Sequence, residues 1–463
     1  MTKKESNLKT SFYIWSATVF IASYLCGINL IVPTFLMLIA GYFYITNKNP
    51  SRALFLNTAL LYLITLVTGY YCIKNKLPIF VIPFTLAPML ATLLFLDLDI
   101  ARFIAVAGGI SVAFIPNAPF MVLPFFIVNG ILSSYFVYKA RKRSTIIKSG
   151  AAIGLAQVLT LIFIERFWIG TPDRYLILFL NGLITAIVVL GVLPIFEYLF
   201  KTVTNISLLE LADSNHPLLQ RMILEAPGTY HHSLVVGNLS DAACKEIGAN
   251  NLLARVGAYY HDIGKIEKAE YFSENQIIAQ NKHDTLSPDM SKLIIMNHVK
   301  NGVELAKKYR ITPSLIGFIQ QHHGNSLVYY FYRRAIESLE EDSTIKEEGF
   351  RYPGPKPSTK ETAIVLLADS VEAATRALKD PTVAKIEEVV HKVINNKFID
   401  GQLDECDLKL KDIERISAVF IRILGAIYHS RIPYGDDKNT EHNHKKSAKE
   451  DLHFPDKDKK SNS

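Results

Sequence analysis

The sequence predicts an all-α protein in which a polytopic helical membrane bundle precedes a second domain, also all-α, in the cytosol. Two observations carry this prediction. From Phe12 to Phe200 the chain is a series of apolar runs, several close to the roughly 20 residues that span a bilayer. After Lys201, apolar residues recur at spacings of three and four with no convincing period-two strand. We therefore expect a membrane domain at 1–200, a helical domain at 201–433 and a disordered polar tail at 434–463.

The membrane half is expected to cross the bilayer eight times. The run at 12–45 would be about 50 Å long as one helix, too long for one perpendicular span, so we divide it near Gly27. Further apolar stretches near 53–73, 77–96, 100–116, 119–138, 150–168 and 175–200 each make one crossing. A count of seven spans would leave Lys3, Lys4 and Lys9 outside, against the positive-inside rule.

Charge places the second half in the cytoplasm. Before Lys201 lie 15 of the 50 basic residues and 6 of the 43 acidic ones, a net charge of +9 that leaves −2 for the rest. The basic excess therefore flanks membrane spans and is no sign of a nucleic acid polymer as partner. The densest basic group, at 139–148, anchors the cytoplasmic side, and two further crossings return the chain there.

All thirteen histidines follow residue 200, and several fall at the ends of predicted helices. The pair His231 and His232 opens one helix, so that one of the two can face a site. A second helix, over 252–262, is expected to be closed by Gly264, which places His261 and Asp262 in its last turn. His298 lies inside a helix predicted at 291–310.

Two more predicted helices carry the remaining candidates. Pro313 starts one that Gly324 ends, with His322 and His323 in its final turn. A capping box of Ser358 and Glu361 precedes the apolar run 363–368, which Asp369 follows directly. Because a buried carboxylate needs a partner, Asp369 is a candidate ligand.

This set of imidazoles and carboxylates suits two divalent metal ions, with manganese or iron expected. One ion would take a histidine of the 231–232 pair, His261 and Asp369. The other would take His298, His322 and His323, with Asp262 bridging both. Such a pair activates water for phosphoester hydrolysis. Lys265, expected just past a helix end, could neutralise charge on the phosphoryl oxygens; otherwise it is an ordinary surface lysine.

The order His, His-Asp, His, His-His, Asp resembles the two-metal HD-domain phosphohydrolases. Segments 224–233, 260–265 and 350–357 narrow the likeness to the seven-transmembrane HD family, over nearly the whole chain. The resemblance implies a bacterial inner-membrane enzyme whose cytosolic HD domain hydrolyses cyclic di-AMP to 5′-pApA. It also selects His232 as the first ligand, because this residue precedes Ser233 as in the family's motif. The family's usual extracellular domain is replaced here by a short turn near Gly27.

Other interpretations stay open. The HD domain could be a nucleotide receptor without turnover, or could hydrolyse cyclic di-GMP, an alarmone or a dNTP. The resemblance argues against cyclic di-GMP, because 324–327 reads Gly-Asn-Ser-Leu where those enzymes carry Gly-Tyr-Pro after their paired histidines. The aromatic run 329–332 could stack on adenine or belong to the core. The sequence leaves open whether the chain forms a homo-oligomer.

Overall fold

The computed structural model describes residues 3–29, 31–34, 36–37, 52–78, 81–119, 121–165, 172–276, 282–337 and 345–428. These residues are predominantly helical and contain no strand; one isolated bridge pairs Leu327 with Arg351. The all-α prediction is thus confirmed. The predicted tail at 434–463 lies outside the described residues.

Apolar helices make up the described part of the membrane half. They are α1 (Lys3–Leu25), α2 (Arg52–Lys74), α3 (Leu86–Phe95), α4 (Leu98–Ala113), α5 (Val122–Val137), α6 (Arg143–Ile164) and α7 (Pro172–Phe200). Within the described residues, three segments are long and apolar enough to cross a bilayer by themselves: Ala53–Lys74, Arg143–Ile164 and Pro172–Phe200. The predicted division near Gly27 is present, because α1 ends at Leu25 and Gly27 has a φ of 70°.

The stretch predicted as one span over 77–96 differs from that expectation. In the part of this stretch that the structure describes (77–78 and 81–96), only Leu86–Phe95 is α-helical, and these 10 residues cover about 15 Å. The reason is the prolines: Pro78 and Pro83 lack the N–H that a helix interior needs, and a turn precedes the helix. The count of eight crossings stays a prediction.

Helices α6 and α7 approach each other closely through glycine. A Cβ on Gly182 would lie 2.4 Å from the backbone nitrogen of Gly154, and one on Gly150 would lie 2.5 Å from the Cβ of Ala186. Small residues four apart let helix backbones meet in this way in membranes. This pair leads the chain directly into the second half.

The second half is a helical domain around one apolar core. Its helices are α8 (Asn205–Leu211), α9 (Pro217–Glu225), α10 (Pro227–Ile247), α11 (Asn251–Tyr260), α12 (Pro288–Lys308), α13 (Pro313–Gln321), α14 (Tyr329–Glu337), α15 (Lys360–Arg376), α16 (Val383–Ile399) and α17 (Leu410–Tyr428). Helix α15 lies at the centre, where every residue of 363–368 is fully buried. It packs against α10, α11, α16 and α17.

The predicted capping box of α15 was wrong. The capping box of α15 is formed by Thr359 and Thr362, not by Ser358 and Glu361. Glu361 instead accepts a hydrogen bond at 2.8 Å from the backbone nitrogen of Asn250, which ties α15 to the start of α11. Asp369 directly follows the buried run 363–368, as predicted, and α15 continues beyond it to Arg376.

Gly264 was also misinterpreted. It does not close α11 in a left-handed conformation; the chain continues from Asp262 into a 3-10 helix at Ile263–Tyr271. Its function is a close approach, because a Cβ there would lie 1.8 Å from the carbonyl oxygen of His298. Glycine at 264 therefore brings the His261–Asp262 segment against the histidine of α12.

Candidate metal centre

The structure brings all seven predicted ligands together. Their donor atoms form two groups that share one aspartate, and within each group the atoms lie within 4.8 Å of one another. One group comprises His232, His261, Asp262 and Asp369; the other comprises Asp262, His298, His322 and His323. This is the division predicted from the sequence. All are buried except His323, whose side chain is 21% exposed.

Asp262 stands between the two groups with one carboxylate oxygen toward each. Its Oδ1 lies 3.4 Å from the Nε2 of His298 and 3.4 Å from that of His322. Its Oδ2 lies 3.2 Å from the Nε2 of His261 and 3.6 Å from that of His232. A carboxylate in this position can bridge two cations, one per oxygen.

Hydrogen bonds fix which nitrogen three of the histidines present. The Nδ1 of His261 donates to the carbonyl oxygen of Ala258 at 2.6 Å, that of His322 donates to Ile319 at 2.9 Å, and that of His298 donates to Ile295. With Nδ1 protonated, a neutral imidazole keeps a lone pair on Nε2. In its neutral form, each of the three rings therefore directs the lone pair of its Nε2 into the interior of the site.

The donor set fits metal ions. Among the described side chains, His261 Nε2 and Asp262 Oδ1 are buried without a hydrogen-bond partner, and the ammonium of Lys265 lies 2.7 Å from Asp262 Oδ2. The Nε2 atoms of His298 and His322 face each other at 3.2 Å, although both are acceptors in this tautomer. Buried acceptors that point at one another need a cation between them, because such groups are otherwise costly.

His232 is oriented by carboxylates on one face of α15. Its Nε2 lies 3.0 Å from Asp369 Oδ1, and its Nδ1 is hydrogen-bonded to Glu372 Oε2. A carboxylate on the second nitrogen of a ligating imidazole fixes its tautomer and raises its basicity. The neighbouring His231 is exposed. The choice of His232 over His231 thus agrees with the geometry.

Glu372 was not found from the sequence. It lies three residues after Asp369, a spacing that puts two side chains on the same face of a helix, and that signal was available. Tyr352 was also missed. Its ring stacks on His323 at a centroid distance of 4.3 Å, and the Nδ1 of His323 lies 3.6 Å from Asp369 Oδ2.

Burial and nearby carboxylate charges shift the pKa values of the site's histidines in opposite directions. Burial lowers the pKa of His261, but the nearby charges of Asp262 and Asp369 outweigh it and raise that pKa to about 10. Burial lowers the pKa of His298 to about 3, and it also holds the pKa of His323 well below its ordinary value. His298 and His323 are therefore neutral, the form that binds a metal ion.

Lys265 is not an exposed lysine. Its side chain is 13% exposed, and its Nζ lies 2.7 Å from Asp262 Oδ2 and 2.8 Å from Glu274 Oε1. Burial lowers its pKa, but these two carboxylates outweigh that effect and raise it, so the ammonium stays charged. Glu274 was missed because it lies in a separate segment, where Thr229 also donates to it at 3.3 Å.

A cavity of about 550 Å³ opens onto this cluster; we call it the metal cavity. Its lining includes His232, His323, Asp369, Lys265 and Glu274 from the centre, together with Ser273, Ser370, Ala373, Arg376 and Ala377. The Arg376 guanidinium lies 3.5 Å from Glu372 and is partly exposed. The metal cavity therefore presents two cations, Lys265 and Arg376, beside the candidate ligands.

Of the other described histidines in the helical domain, His216 and His283 have structural contacts, whereas His231 and His391 are exposed. His216 caps α9 and contacts the ring of Tyr260, and His283 contacts Phe331. The residues of the aromatic run 329–332 differ in exposure: Phe331 is buried, whereas Tyr329 and Tyr330 are more than 60% exposed. None of the four lines the metal cavity.

Each half of the chain matches a known protein family. Residues 21–204 match the family described as a 7TM receptor with an intracellular HD hydrolase, and residues 229–374 match the HD domain. The second range contains all seven candidate ligands.

Two curated relatives carry the name cyclic-di-AMP phosphodiesterase PgpH. The Bacillus subtilis protein is 40% identical over 75% of this chain, and the Listeria monocytogenes protein is 41% identical over 78%. The chain spans about half the length of these relatives, 51% in each case. The crystal structure of the L. monocytogenes PgpH HD domain in complex with cyclic-di-AMP is 47% identical and covers 47% of this chain and all of that one, with a TM-score of 0.45. The chain belongs to the family of seven-transmembrane proteins with an HD hydrolase domain.

Proposed function

We propose that this protein is a membrane-bound phosphodiesterase that binds two divalent metal ions, manganese or iron, and hydrolyses cyclic di-AMP to 5′-pApA. The observation that carries the proposal is the position of Asp262, whose two oxygens each face a separate group of histidines. His232, His261 and Asp369 would hold one ion, and His298, His322 and His323 the other. When bound, such a pair supplies an activated water and stabilises charge at phosphorus.

The chain's own residues would bind and orient the phosphodiester. Lys265 remains protonated and lines the metal cavity, so its ammonium can stabilise negative charge on a phosphoryl oxygen. The same Nζ contacts Asp262 Oδ2, which holds that carboxylate in its bridging orientation. Arg376, on the same lining, can offer a guanidinium to a second oxygen of the substrate.

We propose an adenine nucleotide as the substrate because the names of the two curated relatives specify cyclic di-AMP. The cytoplasmic location of the HD domain is supported by the basic loop. Arg143, at the start of α6, forms hydrogen bonds of 3.0 and 2.6 Å with Glu210 of α8, so this loop lies at the end of the bundle that meets the helical domain. Basic loops favour the cytoplasmic side.

The test is hydrolysis of cyclic di-AMP by the full chain in detergent with Mn²⁺ or Fe²⁺, with cyclic di-GMP in parallel and products separated by chromatography. We expect pApA as the main product and slower turnover of the guanine analogue. His232→Ala should abolish turnover, whereas His231→Ala, an exposed neighbour on the same helix, should retain it. Equal rates for the two alanine variants would contradict the ligand assignment.

Two alternative functions are distinguished by the same assay. Binding of cyclic di-AMP without products would favour a nucleotide receptor. Faster turnover of cyclic di-GMP, an alarmone or a dNTP would favour a hydrolase for that nucleotide.

A further inference from the structure

A second cavity of about 410 Å³ adjoins the metal cavity; we call it the second cavity. Ser370, the residue after Asp369, lines both cavities, so they share a wall. Each volume lies within the roughly 300–1,000 Å³ of small-molecule sites. Ser326 and Leu327, from the segment that follows His323, line the second cavity.

Lys397 of α16 lines this second cavity and has no ion-pair partner. Its Nζ donates to Ser326 Oγ at 2.8 Å, which uses one of its three donors. Among the described residues, no carboxylate lies within 4.0 Å of it, whereas Lys265 has two. A partly buried ammonium without an ion-pair partner is unfavourable, so an anion bound at this position would stabilise the charge of Lys397.

Apart from Lys397, the charged residues that line the second cavity are Arg351 and Asp400, and these two form an ion pair. The guanidinium of Arg351 is held by Asp400 at 2.8 and 3.2 Å and by Glu347 at 2.8 Å. Lys397 therefore sets the net charge that the second cavity presents. The exposed ring of Tyr329 is also on its lining, and it supplies an aromatic face.

We propose that the second cavity holds the second nucleotide of a two-nucleotide substrate, with Lys397 binding its phosphate and Tyr329 contacting its base. This inference rests on the proposed function, because the first phosphate must lie in the metal cavity. A cation and an aromatic face are the groups that a nucleotide's phosphate and base require. The residues after His323 thereby help to select the substrate, because Ser326 positions Lys397.

The experiment compares two substrates of the full chain with Mn²⁺. Cyclic di-AMP needs both cavities, whereas bis(p-nitrophenyl) phosphate, a small diester, needs only the metal cavity. For Lys397→Met we expect the KM for cyclic di-AMP to rise about tenfold or more, with kcat/KM for the small diester unchanged. Lys397→Arg keeps the positive charge and should recover most of the loss. Lys392→Met, on the exposed side of the same helix, is the matched control and should equal the wild type.

The outcomes distinguish failure of the proposal for Lys397 from failure of the proposed function. Equal loss on both substrates in Lys397→Met would make Lys397 structural, and an unchanged KM would remove it from the substrate site; either result overturns the proposal. If the wild type hydrolyses the small diester but not cyclic di-AMP, the proposed function fails, and equilibrium dialysis of labelled pApA then tests the second cavity alone. Weaker pApA binding by Lys397→Met than by Lys392→Met would support it, and equal binding would overturn it.

Discussion

Replacement of Glu372 by alanine tests whether the carboxylate behind His232 prepares that imidazole for a metal ion. Both side chains are almost fully buried, with exposures of 2% and 1%. Alanine leaves the Nδ1–H of His232 without its acceptor and frees the ring to turn. Loss of such an outer carboxylate lowers metal affinity about 10- to 100-fold, which corresponds to about 1.4–2.7 kcal/mol.

Glutamine at position 372 separates the two effects. Its amide oxygen can still accept from His232 Nδ1, so the orientation is kept while the charge is lost. We therefore expect Mn²⁺ affinity to fall from wild type to Glu372→Gln to Glu372→Ala, measured by isothermal titration of the full chain in detergent. The control is Glu387→Ala, because Glu387 is an exposed acid on α16 whose ion pair with His391 is 4.0 Å long. A Glu372→Ala protein that binds Mn²⁺ within twofold of the wild type would refute the reasoning.

Two glycine replacements test close contacts in the two halves. Gly264→Ala would place a Cβ 1.8 Å from the carbonyl oxygen of His298, so we expect the free energy of unfolding to fall by about 3 kcal/mol or more, measured by thermal denaturation, together with loss of turnover. The control is Gly317→Ala, whose Cβ would have its nearest neighbour at 3.9 Å and which should be neutral or slightly stabilising. Equal Tm values for the two variants would contradict the contact at Gly264. The Cβ of Gly154→Ala would lie 2.5 Å from the carbonyl oxygen of Phe179, so this variant should lower the Tm of the protein in detergent. The Cβ of Gly191→Ala has no neighbour within 4 Å, so this control should keep the Tm of the wild type. A Tm difference of less than 1 °C between the two variants would argue against the α6–α7 contact.

Local signals at helix ends predicted four of the seven candidate ligands, namely His261, Asp262, His322 and His323. Pro313 starts α13 as expected, and Gly324, with a φ of 55°, follows His322 and His323. Asn250 caps α11, which ends one residue before His261. Such signals depend on residues near one another in the chain, so periodicity and capping rules can identify them.

The contacts that prepare the ligands could not be predicted in the same way. Glu274 reaches Lys265 from a 3-10 segment that has no strong local signal, and its place depends on the start of α10. The function of Gly264 is likewise visible only when α12 lies against it. The helix-ending role predicted for Gly264 and the alternative that Lys265 is a surface lysine both followed from neighbouring residues. Packing between distant segments excludes both.

Two of the contacts that join the membrane bundle to the helical domain differ in strength. The ion pair of Arg143 and Glu210 is more than half exposed on both sides, and such pairs contribute about 0–1 kcal/mol. Glu197, in the last turns of α7, accepts from the backbone nitrogen of Thr204 at 2.7 Å and from the hydroxyl of Ser207 at 2.8 Å. Hydrogen bonds to a charged, partly buried carboxylate contribute about 1.5–3 kcal/mol each. Glu197 therefore fixes the direction in which α8 leaves the membrane.

That direction matters for the metal centre because α8 contacts the helix that ends at it. The hydroxyl of Tyr260 donates to the carbonyl oxygen of Leu211 at 2.7 Å, and Tyr260 is the residue before His261. A displacement of α7 that Glu197 transmits to α8 would reach Tyr260 through this hydrogen bond. The two candidate ligands at 261 and 262 are consequently the ones whose backbone is joined most directly to the membrane half.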